Sequence, residues 1–200
     1  MAAAKHSYHH GDLRRALIDR AVELISQKGA SAFTLREVAR RAGVSHTAPY
    51  RHFADKDALL AAVAEEGFRA LHQRSADAAQ AASEHPMLRF ASAGETYVLF
   101  AIDKPAHFKV MFAGVGLDDE ALRAAADAAF EQLVDEVLIA QRAGVIRQGD
   151  ARSIALASWS MVHGLATLVV DGALPEDKFG GPEQIRAAIV PLIFSGIGAS

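Results

Sequence analysis

The 200-residue chain contains no cysteine, which excludes disulfides and thiolate metal sites. Aromatic residues make up only 7%, with a single tryptophan, and the first six residues lack the apolar core of a signal peptide. No uninterrupted apolar run approaches the roughly 20 residues that a membrane span requires. We therefore expect a cytoplasmic protein without a membrane partner.

Hydrophobic residues nevertheless make up 51% of the chain, which is ample for a buried core. They recur at helical spacing without convincing strand alternation, so the sequence predicts an all-α protein. Turn and capping residues divide it into helices, with residues 176–181 as the least structured stretch. The predicted helices run from about Asp12 to Lys28, from Asp55 to about Ser83, from Pro86 to Asp103, from Phe108 to Phe112, from Asp118 to Ala143, from Asp150 to Val170, and onward from Pro182.

Residues 34–53 predict two short helices joined by a tight turn, which is a helix-turn-helix. Thr34 is expected to cap the first helix, while Glu37 returns a bond to the backbone of the cap. Gly43 suits the sharp corner because glycine reaches positive φ without a steric clash. Ser45 is expected to cap the second helix.

The second of these helices is expected to expose His46, Thr47, Tyr50 and Arg51, a set suited to phosphates and base edges. The surrounding segment is basic: residues 1–74 hold twelve Lys and Arg against eight Asp and Glu, whereas the remainder holds nine against sixteen. Many helical hairpins with a glycine turn never contact DNA. The segregated positive charge favours a DNA-binding head because it attracts the phosphate backbone.

The chain from Tyr8 to Leu60 resembles the DNA-binding domain of TetR-type transcriptional regulators. Features that carry the resemblance include Thr34, Ala39, the turn Gly43-Val44-Ser45, the pair Tyr50 and Phe53, and Lys56. The resemblance implies a homodimer, a ligand-binding C-terminal domain and repression relieved by a small molecule. We expect a head over residues 1–54 and an effector-binding and dimerisation domain over residues 55–200.

Nine residues are expected to contact a double-stranded operator, on the hairpin and just after it. They are Thr34, Arg36, Ser45, His46, Thr47, Ala48, Tyr50, His52 and Lys56. His46, Thr47 and Ala48 are placed to meet base edges, and Lys56 resembles the lysine with which the family clamps the DNA backbone. Pro49 departs from the family pattern and removes an N–H, so the second helix is expected to be short or slightly rotated.

The last two long helices are unusually apolar, with Ile154, Leu156, Val162, Leu165 and Leu168 on one of them. They are either central core helices or half of a four-helix homodimer interface, and the resemblance favours the interface. The second helix of the pair is marked by Ile185, Ala188, Ile189 and Leu192.

Trp159, His163 and Gly164 resemble a signature of one group of TetR-like C-terminal domains. Trp159 and His163 share a helix face, although a lone histidine on an apolar helix is more often a hydrogen-bonded core residue than a ligand contact. An effector pocket is expected among the middle helices, for an apolar or amphipathic compound. Its candidate residues, which would equally suit an ordinary core, are Phe90, Tyr97, Phe100, Phe108, Met111, Phe112, Trp159 and His163.

Other functional classes receive less support. His9, His10 and Asp12 could hold a transition metal, but adjacent histidines near a chain start are more typical of a solvated arm. The sequence contains no Gly-rich phosphate loop, nucleophile elbow or His-Glu-x-x-His pattern, so we expect neither an enzyme nor a bound cofactor or metal. A transcriptional activator of the same family, a helical metal-binding enzyme and a partner-binding module without DNA affinity remain as alternatives.

Overall fold

The computed structural model describes residues 10–82, 85–116, 118–181, 183–185 and 187. Within these ranges the regular elements are helices and no strand is formed, which confirms the all-α prediction. The helices are α1 (His10–Lys28), α2 (Leu35–Arg41), a 3₁₀-helix (Ala48–Arg51), α3 (Lys56–Ala81), α4 (Pro86–Asp103), α5 (Pro105–Met111), α6 (Glu120–Arg142), α7 (Ala151–Val170) and α8 (Glu176–Phe179).

The first three helical elements form a small head with its own apolar centre. Leu17 and Leu24 of α1 are completely buried, together with Val38 of α2. The corner after α2 closes as expected, because Gly43 takes a φ of +71° and the Val44 N–H donates to the Ala39 carbonyl over 3.0 Å. This turn fixes the direction in which the chain leaves α2.

The second half of the hairpin differs from the sequence prediction. Instead of an α-helix capped by Ser45, the chain forms a four-residue 3₁₀-helix that begins after Thr47, and the Ser45 hydroxyl lies 3.1 Å from that of Thr47. Pro49 is buried in this helix, where it supplies no N–H for an α-helical bond. The short helix anticipated from Pro49 is therefore present, but the cap expected of Ser45 is not.

The predicted capping box of α2 is only half formed. The Glu37 N–H donates to the Thr34 hydroxyl over 3.3 Å, so Thr34 does cap the helix. The Glu37 carboxylate does not return to the cap and instead accepts from Lys28 Nζ at 2.5 Å. The cationic partner on α1 provides a stronger, charge-assisted bond than the neutral backbone N–H.

Helix α3 joins the head to the rest of the chain. Asp55 caps it by accepting from the Ala58 N–H at 2.8 Å. Its first turns bury Leu59 and Val63 in the core of the head, and further along it packs against α4, α5 and α6. A single continuous helix therefore carries contacts from the hairpin into the body.

The body is built from α3 to α7, with α4 in contact with α3, α6 and α7. Asp150 caps α7 at its predicted start by accepting from the Ser153 N–H. Asp119, one residue after the predicted start at Asp118, caps α6 by accepting from the Leu122 N–H. Residues 176–181, expected to lack structure, contain the single-turn α8 before Gly180 ends it with a φ of +79°. Of the apolar residues expected on the final helix, Ala188, Ile189 and Leu192 lie outside the described residues.

Helix α7 is the most apolar helix of the described chain, with a mean hydropathy of 1.6 over its best window. By length and composition alone it could cross a membrane, although its sequence contains no uninterrupted apolar run of that length. It packs against α4 and α6, and its buried side includes Ala155, Val162 and Ala166. The helix is thus partly a core helix, with a second apolar side left at the surface.

Candidate nucleic-acid interface and ligand cavity

The residues expected to contact DNA are gathered on the head, on α2, the turn, the 3₁₀-helix and the first residue of α3. Six of them are exposed: Thr34, Arg36, Ser45, His46, Thr47 and Tyr50. Ala48, His52 and Lys56 are half-buried. Tyr50 is 52% exposed, which leaves its side chain available to a partner.

Lys56 is held in place by two contacts at the start of α3. Its Nζ donates to the Ser31 carbonyl over 2.9 Å and lies 4.8 Å from the centre of the Phe33 ring. A cation over an aromatic face is attracted by the ring quadrupole. The ammonium is therefore oriented before any ligand arrives, beside the loop that leads into α2.

The charges around the hairpin are arranged so that acidic groups are neutralised internally. The hydrogen bond from Lys28 holds the pKa of Glu37 below its usual value. The Arg40 guanidinium lies 3.8 Å from the same carboxylate but is 77% exposed, and Arg41 donates to the Gln27 side chain over 2.7 Å. Positive charge therefore dominates the exposed side of α2.

A cavity of about 270 Å³ lies in the body between α3, α4, α6 and α7. Its wall is mainly apolar and aromatic, with a few polar groups, as is typical of small-molecule sites. Its main lining residues are Phe68, Leu71, His72 and Ser75 of α3, Ala93, Gly94 and Tyr97 of α4, Phe112 just after α5, Ala126, Asp127, Phe130, Gln132, Leu133 and Glu136 of α6, and Ser158, Trp159 and Val162 of α7.

Three of the residues expected at an effector pocket line this cavity: Tyr97, Phe112 and Trp159. Phe90 and Phe100 are fully buried in the core instead. The other three expected residues lie outside the wall, and two of them stack on it. Phe108 makes an edge contact with Tyr97 at 5.8 Å between ring centres, His163 does so with Phe112 at 4.6 Å, and Met111 packs in the core.

Tyr97 and His163 join α4 to α7 through a hydrogen bond of 2.7 Å between the phenol oxygen and Nδ1. Burial lowers the pKa of His163, so the neutral ring is favoured and its Nδ1 can accept from the phenol. Burial also raises the pKa of Tyr97, although a hydrogen bond with Trp159 opposes this effect. The raised pKa keeps the phenol protonated. The histidine therefore acts as a hydrogen-bonded support for a residue of the cavity wall.

More than half of the residues that line the cavity belong to α3 and α6, two helices that the aromatic pattern of the sequence does not connect to a pocket. Glu136 of α6 is 5% exposed and forms two hydrogen bonds with Arg89 of α4, at 2.6 and 2.9 Å. The only sequence signal is that Glu136 stands between apolar residues of α6, and this does not show which helices α6 crosses. His9 and the side chain of His10, which the sequence offers as metal ligands, lie outside the described residues.

Two family models match the chain. Residues 17–63 match the bacterial regulatory proteins of the tetR family, and residues 90–190 match the tetracyclin repressor-like C-terminal domain. A Haemophilus influenzae protein described as an uncharacterized HTH-type transcriptional regulator is 32% identical over 125 residues, or 62% of this chain. The chain spans about 60% of the length of that relative.

Solved structures agree over nearly the full length. A protein of unknown function from a Rhodococcus species is 35% identical, with a TM-score of 0.83 over 98% of this chain and 100% of the other. PfmR of Thermus thermophilus, a TetR family regulator, has the same fold at 21% identity, with a TM-score of 0.71 over 90% and 97% of the two chains. The chain therefore belongs to the TetR family of DNA-binding transcriptional regulators.

Proposed function

We propose that this chain is a ligand-responsive repressor that binds a palindromic operator as a homodimer and is released by a small molecule in the body cavity. The observation that carries the proposal is the position of the cavity. Phe68 and Leu71 line it from α3, the same helix that begins with Lys56 at the hairpin. A ligand that changes the packing of α3 would therefore change the placement of the head.

The proposed DNA contacts are those of the head, with residues 1–54 as the DNA-binding domain and residues 55–200 as the effector and dimerisation domain. His46, Thr47 and Ala48 would meet base edges, whereas Thr34, Arg36, Ser45, Tyr50, His52 and Lys56 would contact the backbone. The exposure of most of these side chains supports this role. The short 3₁₀-helix places Thr47 and Tyr50 at the surface without a long recognition helix.

The proposed dimer interface lies on α7. Leu156, Met161 and Leu168 are 51%, 40% and 46% exposed and lie, with Gly164, on the side of α7 that faces away from its buried residues. A Cβ added at Gly164 would meet no atom within 4 Å, so the space beside this glycine is open to a second helix. Two copies related by a two-fold axis would cover this face and would match an inverted repeat in the DNA.

The effector would act by biasing the spacing between the two heads of the dimer. Two helix-turn-helix units on one operator lie about 34–36 Å apart, so a tilt of α3 in each subunit would misplace them. A coupling free energy of about 1–3 kcal/mol changes operator occupancy roughly five- to 150-fold. The compound would be apolar or amphipathic, as the mainly aromatic wall favours.

The direct test is selection of genomic DNA fragments bound by the purified protein, followed by a transcription assay on the recovered promoters. We expect an inverted repeat, a protein mass of two subunits on it, and less transcript when the protein is added. A rise in transcript would identify an activator instead. A single subunit in solution, or indifference to double-stranded DNA at low ionic strength, would overturn the proposal.

A further inference from the structure

The charge of the cavity wall is one-sided. Among the described residues, no lysine or arginine lines the cavity, whereas Asp127 and Glu136 both do. The remaining wall is dominated by five aromatic rings, those of Phe68, Tyr97, Phe112, Phe130 and Trp159. Aromatic faces and carboxylates both attract cations, and neither stabilises an anion.

Several of the hydrogen-bond donors on the wall are already engaged. The Ser158 hydroxyl donates to the Ile154 carbonyl over 2.8 Å, and the Tyr97 hydroxyl is engaged by His163. The Gln132 side-chain amide donates to His72 Nδ1 over 2.9 Å in the orientation in which its oxygen also accepts from the Ala76 N–H. On the α3 side, only His72 Nε2 and the Ser75 hydroxyl therefore remain as donors to a ligand. The oxygens of the wall, above all the carboxylates of Asp127 and Glu136, remain as acceptors.

Glu136 keeps acceptor capacity although it is paired. Arg89 binds its two oxygens with one bond each, and a carboxylate accepts about four hydrogen bonds in all. Arg89 does not line the cavity, but it neutralises the Glu136 charge, so Glu136 offers acceptor atoms and not a free negative charge. Closer to the start of α6, Asp127 adds a second carboxylate, which is exposed.

We propose that the effector of this cavity is a lipophilic amine that binds as its ammonium form, an assignment that rests on the proposed ligand-responsive function. The aromatic rings would enclose its apolar body, and Asp127 and Glu136 would accept from its N–H groups. Asp127 supplies the net negative charge of the wall and Glu136 adds acceptor atoms, which together offset the loss of water around the ammonium; an apolar wall alone would not. A carboxylic acid of the same shape would meet the like charge of Asp127.

Three probes with one common body test the assignment: 4-phenylbutylamine, 4-phenylbutan-1-ol and 4-phenylbutanoate. Binding to the full-length protein is followed through the fluorescence of Trp159, which is the single tryptophan of the chain and lies on the wall. We expect the amine to bind about tenfold more tightly than the alcohol and the carboxylate to bind most weakly. Operator release is measured with the same three probes.

Two variants locate the charge preference. Asp127→Asn should reduce the advantage of the amine over the alcohol, because it removes the charge but keeps an acceptor oxygen. Asp135→Asn, which changes an exposed carboxylate of α6 outside the cavity wall, is its matched control. Glu136→Gln leaves the Arg89 charge without a carboxylate and should turn the preference toward 4-phenylbutanoate. Thermal melting of each variant confirms that it is folded.

The outcomes separate this inference from the proposed function. Equal binding of amine and alcohol, tightest binding of the carboxylate, or an unchanged amine preference in Asp127→Asn would overturn the amine assignment and leave the cavity as an effector site. If none of the three probes quenched Trp159 or released the operator, both the assignment and the effector role of the cavity would fail. DNA binding without any probe is scored independently.

Discussion

His107 on α5 lies with its Nε2 3.5 Å from Oε1 of Glu66 on α3. The other oxygen of Glu66 accepts a hydrogen bond from Arg15 of α1 over 2.8 Å. The histidine is 7% exposed and is followed in the chain by Phe108, which contacts the ring of Tyr97 on the cavity wall. These contacts connect α1 of the head, the long helix α3 and the cavity through adjacent residues.

The burial of His107 predicts a pH dependence of stability. Burial lowers its pKa, opposed by the Glu66 carboxylate and supported by the positive charges of Lys104 and Arg15. A histidine whose pKa is lower in the folded chain than in the unfolded chain binds fewer protons when folded. The free energy of unfolding should therefore fall as the pH drops below about 6.5, the value of the unfolded side chain.

Urea unfolding at several pH values between about 8 and 5.5 measures this effect. His107→Gln should flatten the pH dependence in part, because the lowered pKa of His163 contributes with the same sign. Glu66→Gln should steepen it, since the variant removes the charge that favours protonation of His107. A His107→Gln profile identical to that of the unmodified protein would show that this histidine does not titrate in the window.

Lys56→Ala should weaken binding to every DNA sequence. Its ammonium is already oriented at the start of α3, and the loss of one phosphate contact should reduce the slope of log affinity against log salt concentration by about one. Fluorescence anisotropy at several salt concentrations measures the slope. Lys109→Ala, an exposed lysine of α5 in the body, removes the same charge and should leave the slope unchanged. An unaltered slope for Lys56→Ala would place this lysine outside the interface.

Thr47→Ala should change which bases are preferred. The Thr47 side chain is exposed at the start of the 3₁₀-helix, where loss of a base-edge contact removes about 1–3 kcal/mol of discrimination at one position. Binding to a set of single-base operator variants measures this. Ser45→Ala, at a proposed backbone contact beside Thr47, is the comparison and should weaken binding to all operator variants alike. A uniform loss over all operators would indicate a backbone contact.

Glutamate at both Leu156 and Leu168 of α7 should abolish the proposed dimer. Each introduces a charge that would be buried without a partner in the interface. We expect light scattering to give a mass near the 21.3 kDa of one chain, with loss of operator binding but retained helicity. Leu88→Glu on α4, at a leucine that is 56% exposed, is the matched control. A dimer that persists in the double variant would place the interface on another surface.

The sequence predicted those parts of the fold that depend on neighbouring residues. Asp55 and Asp150 cap their helices as expected, because an N-cap is a contact between residues three apart, and Asp119 caps α6 one residue after its predicted start at Asp118. The failure at Ser45 has a local cause too, since the buried Pro49 favoured a 3₁₀-helix over the α-helix that a serine cap would begin. Pro49 predicts the short helix that is observed, but the proline alone does not specify its 3₁₀ form.

The cavity could be predicted only in part because it is a product of packing between distant segments. Tyr97, Phe112 and Trp159 were found from aromatic residues on the middle helices. Phe90 and Phe100 share that pattern but point into the core, and the helical period alone does not separate a packed side from an open one. Asp127, Gln132 and Glu136 come to the wall because α6 crosses α3 and α4, which no local pattern encodes.

The hydrogen bond between Tyr97 and His163 should support the packing of α4 on α7. Tyr97→Phe removes the hydroxyl and leaves Nδ1 without this partner, so we expect a loss of about 1 kcal/mol in the free energy of unfolding. His163→Phe should have a similar effect while keeping a ring beside Phe112. Because both variants remove the same interaction, the double variant should be less destabilised than the sum of the two, as urea unfolding measures.

Tyr50→Phe is the control for that cycle, because it removes a phenol hydroxyl from an exposed ring of the head and should leave stability unchanged. Strict additivity of Tyr97→Phe and His163→Phe would mean that the two groups do not stabilise each other. If the two groups do stabilise each other, Tyr97→Phe also loosens the contact between α4 and α7 beside the cavity. The quenching of Trp159 fluorescence by a ligand should then differ between the variant and the unmodified protein, since the indole contacts both Phe112 and His163.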